Sequence, residues 1–167
     1  LNNISLKIKT GENVVILGPN GSGKSSILKV INRTLYPIHK KPTSIRIFGS
    51  ETIDIWNLRR KLGIITSDLN KRIYKNTKVI ECISAGFLGS FNLKNEKLIS
   101  NCQKEHVIRV LEDLNLLSCA NKYFHQLSDG QQKITLIARA LIHKPRILIL
   151  DEPTNSLDIK ACNQVRE

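Results

Sequence analysis

The sequence predicts an α/β fold: a core of parallel strands with helices, a small antiparallel β subdomain, and a helical subdomain inserted between the core strands. Three observations predict it. A short apolar run, Val14-Val15-Ile16-Leu17, feeds a glycine-rich stretch and then a segment of helical period. From Thr77 to about Asn121 the pattern turns from strand-like to helical. A second uninterrupted apolar run, Ile147-Leu148-Ile149-Leu150, closes on the carboxylates Asp151 and Glu152.

Taken in order, Ile4, Leu6 and Ile8 alternate with Ser5, Lys7 and Lys9, the period of a half-exposed strand, and Thr10 to Asn13 turn it back. This predicts an antiparallel strand beside the run at Val14 to Leu17. The next residues, Gly18-Pro19-Asn20-Gly21-Ser22-Gly23-Lys24-Ser25, fit GxxxxGK[ST]. Glycines without a Cβ let successive backbone N–H groups converge on one phosphate. Ser25 to Arg33 carries Ile27, Leu28 and Ile31 at helical spacing, so an anion would sit on a helix N-terminus. Lys24 would reach the β- and γ-phosphates of a nucleotide, and the Ser25 hydroxyl would ligate Mg²⁺. A plain Gly/Ser-rich turn is the alternative, and the strand–loop–helix context speaks against it. The core is thus expected to be that of a phosphate-loop NTPase.

Pro37 and Pro42 bracket a loop, Ile45 and Ile47 alternate again, and Gly49-Ser50 turns the chain. Leu62 to Thr66 reads as another apolar strand, leading into the polar segment Ser67 to Asn76. A helix is expected at Val79 to Ala85. Gly86, Gly89 and the polar stretch at Asn92 to Asn95 separate it from a second, on which Val107, Val110, Leu111, Leu114 and Leu117 share one face. Residues 1–76 and 122–167 are expected to form the nucleotide core, and about 77–121 the helical subdomain. Ser128 and Gln131 fit a capping box ahead of Ile134, Ile137, Ala138 and Leu141, so a helix starts there and ends at Lys144-Pro145. Asp151 and Glu152 then stand at the carboxyl end of a buried strand, where an α/β sheet presents its ligand crevice. Burying such charges needs compensation, which Mg²⁺ and a water would supply.

Composition limits the partners. The 167 residues suit one domain, and a chain that opens at Leu1 with no Met reads as a fragment. The net charge of +12 raises nucleic acid or a membrane surface as partners. Its densest groups are only Lys40-Lys41, Arg59-Arg60-Lys61 and Lys71-Arg72, and aromatics are 5%, so a nucleic-acid site is not expected. Cys82, Cys102, Cys119 and Cys162 show no metal-ligand spacing and read as free thiols of a reducing compartment. No signal peptide or bilayer-spanning run is present, so a soluble domain is expected.

With these pieces in order the chain resembles the ATP-binding cassette (ABC) ATPase family along nearly its whole length. Leu127-Ser128-Asp129-Gly130-Gln131 matches the LSGGQ signature with Asp129 in place of its first glycine, and Pro153 to Asp158 is similar to the D-loop, ending in Ser156-Leu157-Asp158. The resemblance implies ATP held by Gly18, Pro19, Asn20, Gly21, Ser22, Gly23, Lys24, Ser25 and Ser26. It implies Mg²⁺ on Ser25 and Asp151, and Glu152 as the general base that polarises the attacking water. It also implies a head-to-tail pair of cassettes, in which the signature Leu127 to Gln131 acts in trans and Ser128 and Gly130 contact the γ-phosphate bound to the opposite subunit.

Where the family carries the Q-loop glutamine this chain has Ser67, a possible Mg²⁺ ligand, followed by Asp68. The family's switch histidine would lie beyond Glu167 and its adenine-stacking aromatic before Leu1; His39, His106, His125 and His143 read as surface or helix-flanking residues. The implied function is the ATP-hydrolysing subunit that powers an ABC transporter, peripheral on the cytoplasmic face of the cell membrane beneath a transmembrane permease. Ser67-Asp68 with LSDGQQ points toward cassettes of the molybdate or metal-uptake kind. The alternative is a soluble ABC ATPase of translation or DNA maintenance, although Thr77 to Asn121 is too short for the long coiled coil common there. A GTPase would need an NKxD motif, and Asn121-Lys122-Tyr123-Phe124 lacks its aspartate.

Overall fold

The structure is a computed structural model and describes residues 4–38, 43–66, 68–93 and 95–151. The chain divides into two units, Leu1–Glu51 and Thr52–Glu167, each described here by itself.

In the first unit the glycine-rich loop leads into helix α1 (Lys24–Ile31). Its C-terminus closes with Arg33 in the left-handed region (φ 57°): the Arg33 and Thr34 N–H groups donate to the carbonyls of Val30 and Lys29. A non-glycine residue there is costly, and the Arg33 guanidinium is held by the Glu51 carbonyl at 3.0 Å. Ile47 and Ser50 form an isolated antiparallel bridge around Phe48 and Gly49, whose φ values of 53° and 83° are those of a type I′ turn.

The expected strands at Ile4 to Ile8 and Val14 to Leu17 do not form ladders among the described residues of this unit. Val15 is 77% exposed and Leu17 87%. The reason is physical: alternation and apolar runs show what a strand would bury, but a ladder also needs a partner strand whose N–H and C=O groups face it.

The second unit begins with α2 (Ile55–Lys61), whose Asp54 N-cap accepts the Asn57 N–H at 2.9 Å. Arg59, Arg60 and Lys61 end it, placing positive charge at the negative end of the helix dipole. The chain passes directly into β1 (Leu62–Ile65), which pairs in parallel with β2 (Ile147–Leu150), Leu62 opposite Ile147 and Ile65 opposite Leu150. Two further bonds extend the pairing at its ends, Arg146 N–H to the Lys61 carbonyl and Asp151 N–H to the Ile65 carbonyl, both 2.9 Å.

Between the strands lie α3 (Leu69–Arg72), α4 (Val79–Ser84), a 3₁₀ turn at Ala85–Leu88, α5 (Asn101–Asp113) and α6 (Asp129–Leu141). Helix α4 packs against both α5 and α6, and α6 packs on β1 as well. Val79, Cys82, Ile83, Val107 and Leu111 fill the space between the helices, all fully buried. The apolar face expected through Leu117 stops sooner: α5 ends at Asp113, and Leu117 is 45% exposed. Asn115 takes a left-handed conformation (φ 55°), the Leu116 N–H donates to the Leu111 carbonyl and the Asn115 N–H to that of Glu112. This Schellman closure brings Leu116 rather than Leu117 into the core.

Two glycines let α6 approach its neighbours closely. A Cβ on Gly63 of β1 would lie 2.7 Å from the Ala140 carbonyl oxygen, and one on Gly86 would lie 2.2 Å from that of Arg139 and 2.6 Å from Ile142 Cγ2. Gly86→Ala is therefore expected to destabilise the full-length protein by about 1–3 kcal/mol, the range for overpacking a core, read as a lower urea midpoint with unchanged slope.

Candidate functional site

The glycine-rich loop is shaped by its own backbone. Gly21 (φ 80°) and Gly23 (φ 94°) are left-handed, and Gly23 is the N-cap of α1, with no side chain capping the first turn. A helix start whose N-cap is glycine leaves the backbone approachable, the arrangement a phosphate group can use. A Cβ on Gly18 would meet Ser22 Oγ at 2.8 Å, so the loop closes across that glycine. Lys24 Nζ donates to the carbonyls of Gly18 and Pro19 at 2.8 and 2.9 Å, folding back over the loop. Ser25 follows in the first turn of α1.

The second cluster stands at the N-terminus of α6. Ser128 is its N-cap: Ser128 Oγ accepts the Gln131 N–H at 3.3 Å, and Gln131 Oε1 accepts the Ser128 N–H at 3.1 Å. Gln132 Nε2 donates to the Leu127 carbonyl at 3.1 Å. Leu127 is buried and anchors the segment, whereas Ser128, Asp129 and Gly130 are exposed. A Cβ built on Gly130 would meet no atom within 4 Å, so the surface above this turn is open.

Asp151 follows β2, half-buried, with its N–H on the Ile65 carbonyl. Ser25 belongs to the first unit and Asp151 to the second. Glu152, Ser67, Ser156, Leu157 and Asp158 lie outside the described residues. Among the described residues no group of three His, Cys, Asp or Glu side chains could hold a metal ion alone. His143 flanks a helix, as expected: half-buried just past α6, its Nε2 lies 3.2 Å from the Leu62 carbonyl.

The structure also assembles residues that the motifs do not mark. Asp68 accepts from Thr66 Oγ1 at 2.5 Å and from Arg72 at 2.7 and 3.0 Å. The Thr66 hydroxyl above all, aided by the hydrogen bond and charge of Arg72, holds its carboxyl below the usual value of 3.8, against an opposing push from burial that is second in size to the Thr66 bond. The i, i+4 spacing of Asp68 and Arg72 signals such a pair. No local signal marks Arg139, which is 5% exposed on α6 and donates to the Ser90 carbonyl at 2.6 and 3.1 Å. Burial lowers the pKa of its guanidinium.

The ABC transporter family matches residues 1–155. An uncharacterized ABC transporter ATP-binding protein of Methanocaldococcus jannaschii is 41% identical over 96% of the chain, and the glutamine transport ATP-binding protein GlnQ of Geobacillus stearothermophilus 34% over 99%. The chain spans 60% and 66% of these two relatives. Among solved structures, CbiO1 of Clostridium perfringens, part of the ABC transporter complex CbiONQ, superposes with a TM-score of 0.67 at 33% identity, over 97% of this chain and 62% of that one. A dimeric bacterial ABC transporter cassette superposes with a TM-score of 0.66 at 29% identity, over 96% and 68%.

An NMR titration of the Asp68 carboxyl is expected to give a value below 3.8, and Thr66→Val to raise it. Because the folded value is the lower one, the stabilisation from Asp68 is complete above its unfolded pKa and is lost as pH falls through the folded pKa.

Proposed function

The chain belongs to the ABC transporter family of ATP-binding cassettes, and from that premise we propose that it is the ATP-binding and ATP-hydrolysing part of a transporter motor that dimerises on ATP. The observation that carries the reading is the exposed N-terminus of α6. Ser128, Asp129 and Gly130 are exposed, with open space above Gly130, at the positive end of a helix whose body is buried; Ser128 itself is engaged with Gln131 in the capping box.

In this reading Gly18 to Ser26 hold the nucleotide of their own subunit. Lys24 exchanges its two carbonyl acceptors for the β- and γ-phosphates, an exchange of neutral acceptors for charged ones that favours the bound state. Ser25 and Asp151 offer a hydroxyl and a carboxylate, oxygen donors that suit Mg²⁺ once phosphate oxygens and water complete its shell. The bound ion supplies charge neutralisation between the phosphates. Glu152 takes the proton of the attacking water, and Ser67 would offer a further hydroxyl to the metal site. Ser128 and Gly130 meet the γ-phosphate of a second cassette, with Leu127, Asp129 and Gln131 shaping that turn.

Relatives named as transport or import ATP-binding proteins support attachment at the cytoplasmic face through a permease subunit; no described helix is long and apolar enough to cross a membrane. Relatives named for glutamate transport, phosphonate import and glutamine transport are 33, 34 and 34% identical. This near-equality leaves the choice of substrate to the permease side. A soluble role in translation or DNA maintenance finds no support among these relatives.

Two variants of the full-length protein test the reading. Glu152→Gln is expected to bind Mg-ATP, cease turnover and shift from monomer to dimer by light scattering; continued hydrolysis would assign the base elsewhere. Lys24→Ala is expected to weaken ATP binding by about tenfold or more, and unchanged affinity would remove the phosphate loop from the site.

A further inference from the structure

Arg72 and Arg139 both lie over the ring of Phe91, their guanidinium carbons 5.2 and 4.6 Å from its centroid. An aromatic ring attracts a cation, but two cations sharing one ring repel each other unless each has its own compensation. Both have it. The Asp68 carboxylate holds Arg72, and the Ser90 carbonyl accepts two bonds from Arg139. The ring is held in turn by its neighbours: the Asn92 side chain accepts the Tyr74 N–H and donates to the Arg72 carbonyl, at 2.9 and 3.0 Å.

These residues join α3 to α6 through the Phe91 loop. A second link runs directly between the two helices, Asn70 Nδ2 to Gln132 Oε1 at 3.3 Å. Gln132 and Arg139 are two helical turns apart, so the attachments are spaced by about 10 Å along α6. A rod attached at one point can pivot; attached at two, its direction is set. The free end of this rod is the turn that carries Ser128, Asp129 and Gly130.

We propose that Phe91 is a positioning residue: by holding Arg72 and Arg139 to one ring it ties α6 to α3 and sets the direction in which Ser128 and Gly130 are presented to a partner cassette. The consequence for turnover rests on the function proposed above; the mechanical link does not.

The test uses the full-length protein and two variants. Phe91→Leu keeps an apolar side chain and removes the π face, whereas Phe91→Tyr keeps the ring. Hydrogen exchange resolved along α6 is the first readout. Phe91→Leu is expected to speed exchange in the first two turns of α6 about fivefold, with α5 unchanged, and Phe91→Tyr to restore the wild-type rate. In steady-state kinetics Phe91→Leu is expected to lower kcat about fivefold with ATP affinity unchanged, since the phosphate loop is untouched. Unchanged exchange, an increase spread equally over α5 and α6, or failure of Phe91→Tyr to restore it would overturn the proposal. Faster exchange without a fall in kcat would overturn its catalytic consequence. A wild-type protein that hydrolyses no ATP would sink the proposed function instead, and the exchange data would still decide the role of Phe91.

Discussion

Helix α6 is wedged by backbone contact on two sides, and the second unit is arranged around that wedge. The carbonyl oxygens of two consecutive residues, Arg139 and Ala140, face Gly86 and Gly63 at distances that leave no room for a Cβ on either glycine. Close-packed interiors do not yield by a methyl group without shifting their neighbours, so these contacts set how closely the C-terminal half of α6 approaches β1 and the turn that follows α4. The sheet inherits that placement: β1 lies against α6 and pairs with β2, and the pairing extends to the Asp151 N–H. The carboxylate expected to face the nucleotide therefore takes its position from a helix whose other end carries the signature residues.

Opposed environments along one helix explain its chemistry. Thr135 to Ala140 are buried, and a charge placed there has to be compensated inside the protein. Arg139 is compensated by a carbonyl and an aromatic face, with no ion pair to a carboxylate among the described residues. The nearby Cys82 thiol is pushed up to about 12 by burial, only partly opposed by Arg139, so it stays protonated and inert. Thr135 satisfies its hydroxyl by donating back to the Gln131 carbonyl at 2.8 Å. At the other end Ser128, Asp129 and Gly130 remain in solvent, where polar groups of the first turn need no partner inside the protein.

What was legible in the sequence follows the range of the interactions involved. The capping box of Ser128 and Gln131 spans three residues and formed as its pattern indicates, as did β1 and β2, whose apolar runs find each other. The left-handed closure at Asn115 is local too, but asparagine is common enough outside helix ends that it does not announce a stop one turn early. The alternation at Ile4 to Ile8 records a strand's faces without naming its partner, and among the described residues of their unit they carry no ladder. Phe91 and Arg139 stand far apart in the chain, with α5 between them, and nothing near either residue in the chain points to the other. Residues such as Glu152 and Ser67, central to the chemistry expected from the motifs, fall outside the described residues, so their geometry adds nothing to the site.

The phosphate loop shows the same division between local and assembled order. Its turn depends on the left-handed conformations at Gly21 and Gly23 and on the close approach at Gly18, all encoded within eight residues. Lys24 then bonds to carbonyls of the loop itself, which gives its ammonium acceptors, and a glycine N-cap places no side chain over the start of α1. A loop already turned by its glycines, with a cation folded over it, is organised for a polyanion before one binds, so less ordering has to be done at the moment of binding. The signature turn is organised in another way, through a buried helix body and attachments that reach across the fold. One half of the chemistry can therefore be recognised from eight consecutive residues, whereas the other half depends on how accurately a distant core aims a helix.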